Sequence, residues 1–256
     1  MTNNEDLNKE SLAEIAVDPD ILAKELALEL EIDPLEQIDN DNFSNGSLNI
    51  ISECNEALKL LEGDREQRIQ GLKIFCEYRD KRSSPFLLPL LDQPCPVERM
   101  SAVYALGRNP FPSAVRKLVS LLETDDNAYV RRATAWSLAN YDNQIVLKPL
   151  INALKNDVAA VRLWSSSSLA EIGSLSSDNA QLAAQQLLIS LKIDNEPGVR
   201  SNCIWSLCRL YEQLNDRYQE SFVDECTKIA LFDKEPSVME EAKTALDSMG
   251  MQGFYN

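Results

Sequence analysis

The stretch Asp126-Asn-Ala-Tyr-Val-Arg-Arg-Ala-Thr-Ala-Trp-Ser-Leu-Ala139 decides the fold of this 256-residue chain. It places an acidic residue near a turn, then Val-Arg, then a helix rich in small residues. Similar copies follow at Asp157 and Asp194, a looser copy precedes at Asp92, and a degenerate copy begins at Asp233. With one candidate further upstream, the resulting arginine column contains Arg68, Arg99, Arg131, Arg162 and Arg200, and the last copy has Met239 in this place.

The spacing of these copies predicts the architecture. The arginine column recurs every 31 or 32 residues up to position 162 and then after 38 and 39 residues. Repeats of this length indicate stacked helical units that bury one continuous core. We therefore expect an all-α, right-handed α-solenoid of about five or six helix pairs over residues 47–249, followed by a C-terminal tail at 250–256. We assign the two longer intervals to a Ser-rich loop insertion at 173–178 and to the turn at 214–219.

Residues 1–46 form an acidic segment of different character. They carry 13 acidic residues and two lysines, so −11 of the formal charge of −16 lies here and −5 remains for the rest. Asp18-Pro19 has the pattern of a helix start, and an apolar stripe follows it at Ile21, Leu22, Leu26 and Leu30. We expect a mostly disordered, solvating tail with this short amphipathic helix. The alternative is a docking helix, for a partner or for the protein's own groove.

Composition excludes several classes of function. The net charge argues against binding to nucleic acid, and no apolar run is long enough to insert into a membrane. The six cysteines form no CxxC pair and the chain has no histidine, so we expect free thiols in the cytoplasm, no metal and no cofactor. Cys76 and Cys208 share a place near the rim of the solenoid groove, where either a reactive or an inert thiol fits. Since no nucleophile–base pair, phosphate loop or carboxylate dyad is evident, we expect no catalytic residue.

The arginine column has two interpretations. The structural one pairs each guanidinium with an acidic residue near a turn, because its planar fork binds a carboxylate through several donors. The candidate acids are Asp92, Asp126, Asp157, Asp194 and Asp233. The alternative is a phosphate-binding channel, and the acids at the same turns weigh against it.

A second column predicts the functional surface. Trp136 lies about 240° around its helix from Val130, away from the predicted core. Tyr104 and Trp205 occupy the same place in their repeats, and small Ser167 interrupts the row. Aromatic and arginine side chains dominate binding hot spots, so we expect a partner-binding groove, unless the tryptophans simply pack against neighbouring helices. We define the concave strip as Tyr104, Arg108, Arg132, Trp136, Asn140, Glu171, Trp205 and Arg209.

Three of these helices carry a resemblance to a known family. Pro96-Val-Glu-Arg-Met-Ser-Ala-Val-Tyr-Ala-Leu-Gly-Arg108, Tyr129-Val-Arg-Arg-Ala-Thr-Ala-Trp-Ser-Leu138 and Gly198-Val-Arg-Ser-Asn-Cys-Ile-Trp-Ser-Leu207 resemble the HEAT-like repeats of the phycobilisome-lyase type. The resemblance covers about residues 47–249 and implies a solenoid of HEAT-like helix pairs. It is specific for the fold and weak for the function, since the same repeats serve several activities.

Two functions follow from this resemblance. Within the family, the chain is most similar to a cyanobacterial group that interacts with IscA, which implies a non-catalytic adaptor binding an A-type iron–sulfur cluster scaffold in its concave groove. The alternative is a phycobilin lyase or lyase-chaperone that acts on phycobiliprotein subunits and takes a phycobilin. Such lyases usually carry aromatic-rich helices, whereas the corresponding helices here have single aromatics and the serine run Ser165–Ser168.

The acidic segment can be tested by deletion. Removing residues 1–40 should leave helicity and melting temperature nearly unchanged, because the predicted core begins only at residue 47. Circular dichroism and a thermal melt of both chains measure this. A fall of more than about 8 °C, several kcal/mol for a chain of this size, would show that the segment belongs to the fold.

Overall fold

A computed structural model describes residues 47–251 and 253. The predicted acidic tail, with its helix at 18–30, lies outside these described residues. Within them the chain is all-α and contains no strand. Its helices are α1 (Ser47–Leu60), α2 (Arg65–Glu77), α3 (Ser84–Leu87), α4 (Pro96–Arg108), α5 (Val115–Thr124), α6 (Ala128–Leu138), α7 (Leu147–Asn156), α8 (Ala159–Gly173), α9 (Ser177–Ile193), α10 (Pro197–Leu210), α11 (Asp216–Phe232) and α12 (Pro236–Ser248).

The helices stack as a solenoid of helix pairs, as the spacing predicts. The second helices form one row, in which α2, α4, α6, α8, α10 and α12 each pack against the next. The first helices form another, and α5, α7, α9 and α11 contact one another in order. Each unit therefore buries its apolar surface mainly against its neighbours, which is the property that defines a repeat solenoid. No helix in the described part of the chain is both long and apolar enough to cross a membrane.

One leucine of each second helix from α4 to α12 marks the core. These leucines lie seven residues after the arginine column or its Met239 equivalent and are completely buried. Full burial of a leucine contributes about 1.5–3 kcal/mol relative to an exposed one. Because these buried leucines are regularly spaced, the helical repeat can be recognised in the sequence. They are Leu106, Leu138, Leu169, Leu207 and Leu246.

Local sequence signals start these helices where the structure has them. The side chain of Asn127 accepts from the backbone N–H groups of Tyr129 and Val130 and caps α6. Proline occupies the first turn of α4, α10 and α12, where its missing N–H removes no helical hydrogen bond. A side-chain cap or a first-turn proline therefore starts each of these four second helices, which carry the repeat motif.

The longer repeat intervals have a different cause from the predicted one. Helices α9 and α11 each contain 17 residues, whereas α5 and α7 each contain 10. Only three residues separate α8 from α9, and Ser176 caps α9 by accepting from the N–H of Asn179. The expected loop insertions at 173–178 and 214–219 are wrong, because most of the additional residues extend the helices, where backbone hydrogen bonds satisfy them.

The arginine column is structural, and its partners lie one repeat further along than expected. Nε and Nη2 of Arg131 donate to the two carboxylate oxygens of Asp157 at 2.8 and 2.7 Å. Its Nη1 donates to the carbonyl oxygen of Asp125 in its own turn at 2.7 Å. We call each such arginine–carboxylate pair a rung. The remaining rungs are Arg68–Glu98, Arg99–Asp125, Arg162–Asp194 and Arg200–Asp233.

Two of the proposed acids are therefore not rung partners. The side chain of Asp126 is exposed, and only its backbone carbonyl meets Arg131, at 3.3 Å. Asp92 pairs with Lys117 instead. Asp125 takes the expected place of Asp126 because it sits at the end of α5, where its carboxylate reaches Arg99 and also accepts from the N–H of Asn127 at 2.9 Å.

We expect Arg131→Ala to destabilise the fold by about 1–3 kcal/mol, because it leaves the largely buried carboxylate of Asp157 unpaired. Arg116→Ala, on the exposed side of α5, is the matched control and should change stability little. Urea unfolding monitored by circular dichroism gives both values.

A double-mutant cycle then tests which carboxylate is the partner. Arg131→Ala combined with Asp157→Ala should cost less than the sum of the two single changes, because the pair is already broken. Arg131→Ala and Asp126→Ala should be nearly additive. Coupling to Asp126 and none to Asp157 would contradict the pairing across repeats.

Candidate functional site

The concave strip lies on the face of the second helices that points away from the leucine core. Tyr104, Trp136 and Trp205 occupy the same place in α4, α6 and α10, five residues after the arginine that forms the rung of each helix. Tyr104 and Trp136 are half-buried, and Trp205 is 39% exposed. The three rings therefore share a face but differ in how much of each ring a partner can reach.

The first half of the strip is a packed cluster. The rings of Tyr104 and Trp136 lie with centroids 5.3 Å apart in a tilted arrangement. Trp136 also covers Gly107, where an added Cβ would lie 2.4 Å from the indole Cζ3 atom. Nη2 of the buried Arg132 donates to the Tyr104 hydroxyl at 3.3 Å. Here the packing interpretation of Trp136 is supported, because the ring closes the contact between α4 and α6.

The second half is open. The guanidinium of Arg209 lies 5.0 Å from the centroid of the Trp205 ring, and its Nη2 atom forms an ion pair with Glu171 at 2.9 Å. The side chains of Arg209 and Glu171 remain 49% and 41% exposed. These three residues, which we call the Trp205 triad, come from α8 and α10 and face solvent together.

The other predicted residues lie beside the packed half. Nε of Arg108 reaches back to the carbonyl oxygen of Cys76 on α2 at 3.3 Å. Asn140 is exposed in the turn that follows α6, and its amide Nδ2 donates to the carbonyl oxygen of Ser137 at 3.5 Å. The concave strip is thus two groups, with Tyr104, Arg108, Arg132, Trp136 and Asn140 in one and the Trp205 triad in the other.

Two residues outside the predicted strip adjoin this face. Trp164 on α8 is half-buried, as Trp136 is. It precedes Ser167 by three residues and so lies about 60° from it on the same helix, a signal that the sequence itself carries. Asn202 fills the gap left by Ser167, since its amide donates to the Ser167 hydroxyl and, at 3.0 Å, to the carbonyl oxygen of Leu163.

The cysteines fall into two groups. Burial raises the pKa of Cys76 and Cys208 to about 12, and it also raises the pKa of Cys54, Cys203 and Cys226. These thiols are protonated at neutral pH, which supports the inert interpretation of the two at the groove rim. Among the described residues, no group of three or more cysteine and acidic side chains is placed to hold a metal ion.

Cys95 differs because it lies at the start of α4. The backbone N–H of Glu98 lowers the pKa of its thiol, and the N–H of Val97 and the guanidinium of Arg65 act in the same direction. Nη2 of Arg65 donates to the sulfur at 3.0 Å. A thiolate at a helix N-terminus beside a cation is the usual setting of a reactive cysteine, so Cys95 differs in this respect from the other five cysteines.

We expect iodoacetamide at neutral pH to alkylate Cys95 at least about tenfold faster than Cys76 or Cys208. The reason is that the lowered pKa of Cys95 leaves a larger fraction of this thiol as the reactive thiolate. Peptide mass spectrometry over a time course measures all three rates. Arg65→Ala should slow the reaction at Cys95 alone. Equal rates at the three cysteines would contradict this assignment.

Solved structures with a similar fold come from repeat proteins. An engineered protein from the Northeast Structural Genomics Consortium aligns with a TM-score of 0.56 and 20% identity, over 76% of this chain and 98% of its own. A designed armadillo repeat protein in complex with the peptide (KR)4 aligns with a TM-score of 0.51 and 20% identity, over 86% and 97%. A chain from a complex of Kap95p with RanGDP aligns with a TM-score of 0.55 and 15% identity, over 92% of this chain and 34% of that one. At these identities the likeness shows the fold alone.

Sequence comparison assigns the family. No curated protein matches this chain significantly. The family model for HEAT repeats matches residues 55–139 and, in an overlapping second match, residues 115–208. These matches contain the column arginines from Arg68 to Arg200 and confirm the HEAT-like part of the resemblance. With more than half of its length matched in this way, the chain belongs to the HEAT-repeat family.

Proposed function

We propose that this protein is a non-catalytic scaffold that binds a protein partner on the concave face of its second helices. The observation that carries the proposal is the Trp205 triad, in which a tryptophan ring stays 39% exposed beside an accessible arginine and glutamate. Tryptophan and arginine are the residues most enriched in binding hot spots. A large ring left open on a face whose other tryptophans are half-buried is therefore the strongest candidate for a partner contact.

The rest of the face supports a broad binding surface. Trp164 and the Tyr104–Trp136 pair present half-buried rings, and Ser167 with Asn202 leaves a low, polar gap between them and Trp205. Such a mixture of aromatic anchors and hydrogen-bonding groups is typical of protein and peptide interfaces. The designed armadillo protein bound to (KR)4 is a repeat solenoid of related fold that holds a peptide, and this supports the same kind of use here.

For the identity of the partner we propose an A-type iron–sulfur cluster scaffold. The support is the resemblance of the repeats to the IscA-interacting group of HEAT-like proteins. The proposed role needs no metal ligand from this chain, because the partner would carry the cluster. The scaffold is therefore the first partner to test, and its binding can be measured with purified proteins.

We expect Trp205→Ala to weaken binding of the purified A-type scaffold by about thirtyfold or more, as truncation of a hot-spot tryptophan does. Its melting temperature should change little because the ring is exposed. Phe232→Ala is the matched control, since Phe232 is 80% exposed on a first helix outside the concave face. Isothermal titration calorimetry and thermal melts compare the two variants.

Trp136→Ala should behave differently from Trp205→Ala. Its ring packs on Gly107 and Tyr104, so we expect a clear loss of stability, unlike the prediction from sequence that treated the two tryptophans alike. If Trp205→Ala also lowered the melting temperature clearly, its ring would belong to the packing and the concave-face proposal would be wrong. The proposal would also be wrong if this variant matched the parent chain in both melting temperature and binding.

The bilin alternative has its own outcome in a parallel experiment. The protein is co-expressed with a bilin pathway and purified, and its visible absorption spectrum is recorded. A bound chromophore together with failure to bind the A-type scaffold would favour a phycobilin lyase or lyase-chaperone acting on phycobiliprotein subunits. A colourless protein that binds the scaffold supports the adaptor.

A further inference from the structure

We propose that the Trp205 triad recognises an arginine or lysine side chain of the partner and that Arg209 occupies this subsite in the free protein. This inference rests on the proposed function and names the chemistry of the partner. Arg209 is the internal ligand, because its guanidinium lies over the Trp205 ring while Glu171 holds its charge. A cation over a tryptophan face with a carboxylate at its side is the arrangement that an external arginine or lysine would reproduce.

The contact of Arg209 is of a kind that a partner can displace. Both side chains of the Arg209–Glu171 pair are close to half exposed, and ion pairs between exposed groups contribute little to stability. The rungs differ, since the side chains of Arg200 and Asp233 are only 5% and 10% exposed and held by two hydrogen bonds. Among these guanidinium groups, Arg209 can therefore swing away at low cost and leave the ring and the carboxylate to a ligand.

The charge around the subsite is negative. Glu171 on α8 contributes an accessible carboxylate beside the Trp205 ring. Residues 47–256 carry a net charge of −5, since −11 of the total of −16 lies in residues 1–46. Charge complementarity favours a basic segment as the occupant.

The probe for this inference is the peptide (KR)4, with an acidic peptide of equal length as its counterpart. Binding to the full chain is measured by calorimetry, and the Trp205 indole N–H resonance, assigned by its loss in Trp205→Phe, reports on the site. We expect (KR)4 to shift this resonance and the acidic peptide to leave it unchanged. If (KR)4 binds without moving the resonance, it binds elsewhere and the proposal fails.

Substitutions in the Trp205 triad distinguish binding of the peptide at this site from general attraction between a basic peptide and an acidic chain. Trp205→Leu, which keeps an apolar side chain, and Glu171→Gln should each weaken (KR)4 binding by about threefold or more. Arg209→Ala should tighten it by a similar factor, because the internal ligand is gone. The matched controls are Glu220→Gln and Arg217→Ala, which make the same charge changes on exposed positions of α11.

The outcome for Arg209→Ala is decisive. Weaker or unchanged binding, relative to Arg217→Ala, would show that Arg209 is not an internal competitor and would overturn the proposal. Thermal melts of each variant show whether it is folded. Arg209→Lys, which keeps the positive charge, is the second variant if Arg209→Ala does not fold. Loss of scaffold binding in Trp205→Ala without any effect of (KR)4 would leave the proposed function standing and reject only the basic-ligand subsite.

Discussion

The rung between an arginine of one repeat and a carboxylate of the next is the interaction on which the rest of this structure depends. One guanidinium binds both carboxylate oxygens of its partner and a carbonyl oxygen of its own turn, as Arg162 does with Asp194 and Asp157. The arginine therefore fixes the conformation of the turn in its own repeat and the position of the neighbouring repeat. Because the groups are largely buried, loss of either partner would leave a charge that the surroundings do not solvate.

Regular rungs keep the second helices at one rotational phase, and small residues let them approach closely. The hydroxyl of Ser168 donates to the carbonyl oxygen of Ala135, and that of Ser206 donates to the carbonyl oxygen of Ser166, both at 2.8 Å. These bonds cross from one second helix to the previous one. Residues at equal places in successive repeats are consequently presented side by side, and this is what turns a column in the sequence into a continuous surface.

Equal phase does not give equal environments. Trp136 follows a repeat with glycine at position 107, so its ring settles over that backbone and against Tyr104. Trp205 follows a repeat that offers Ser167 and Glu171, and its ring stays open beneath Arg209. The residues of the preceding repeat thus decide whether a tryptophan ring packs between two second helices or stays exposed to solvent.

The sequence by itself determined the helical repeat, its period, the buried leucine column and the structural role of the arginines, because each follows from spacing along a single helix or from local capping. Only the tertiary structure decided which carboxylate completes each rung, that Cys95 meets Arg65, and that the concave strip divides into a packed cluster and the open Trp205 triad. These are mainly contacts between residues 26 or more positions apart. Helical phase predicts the face on which a side chain lies, whereas its partner depends on how adjacent repeats are offset in space.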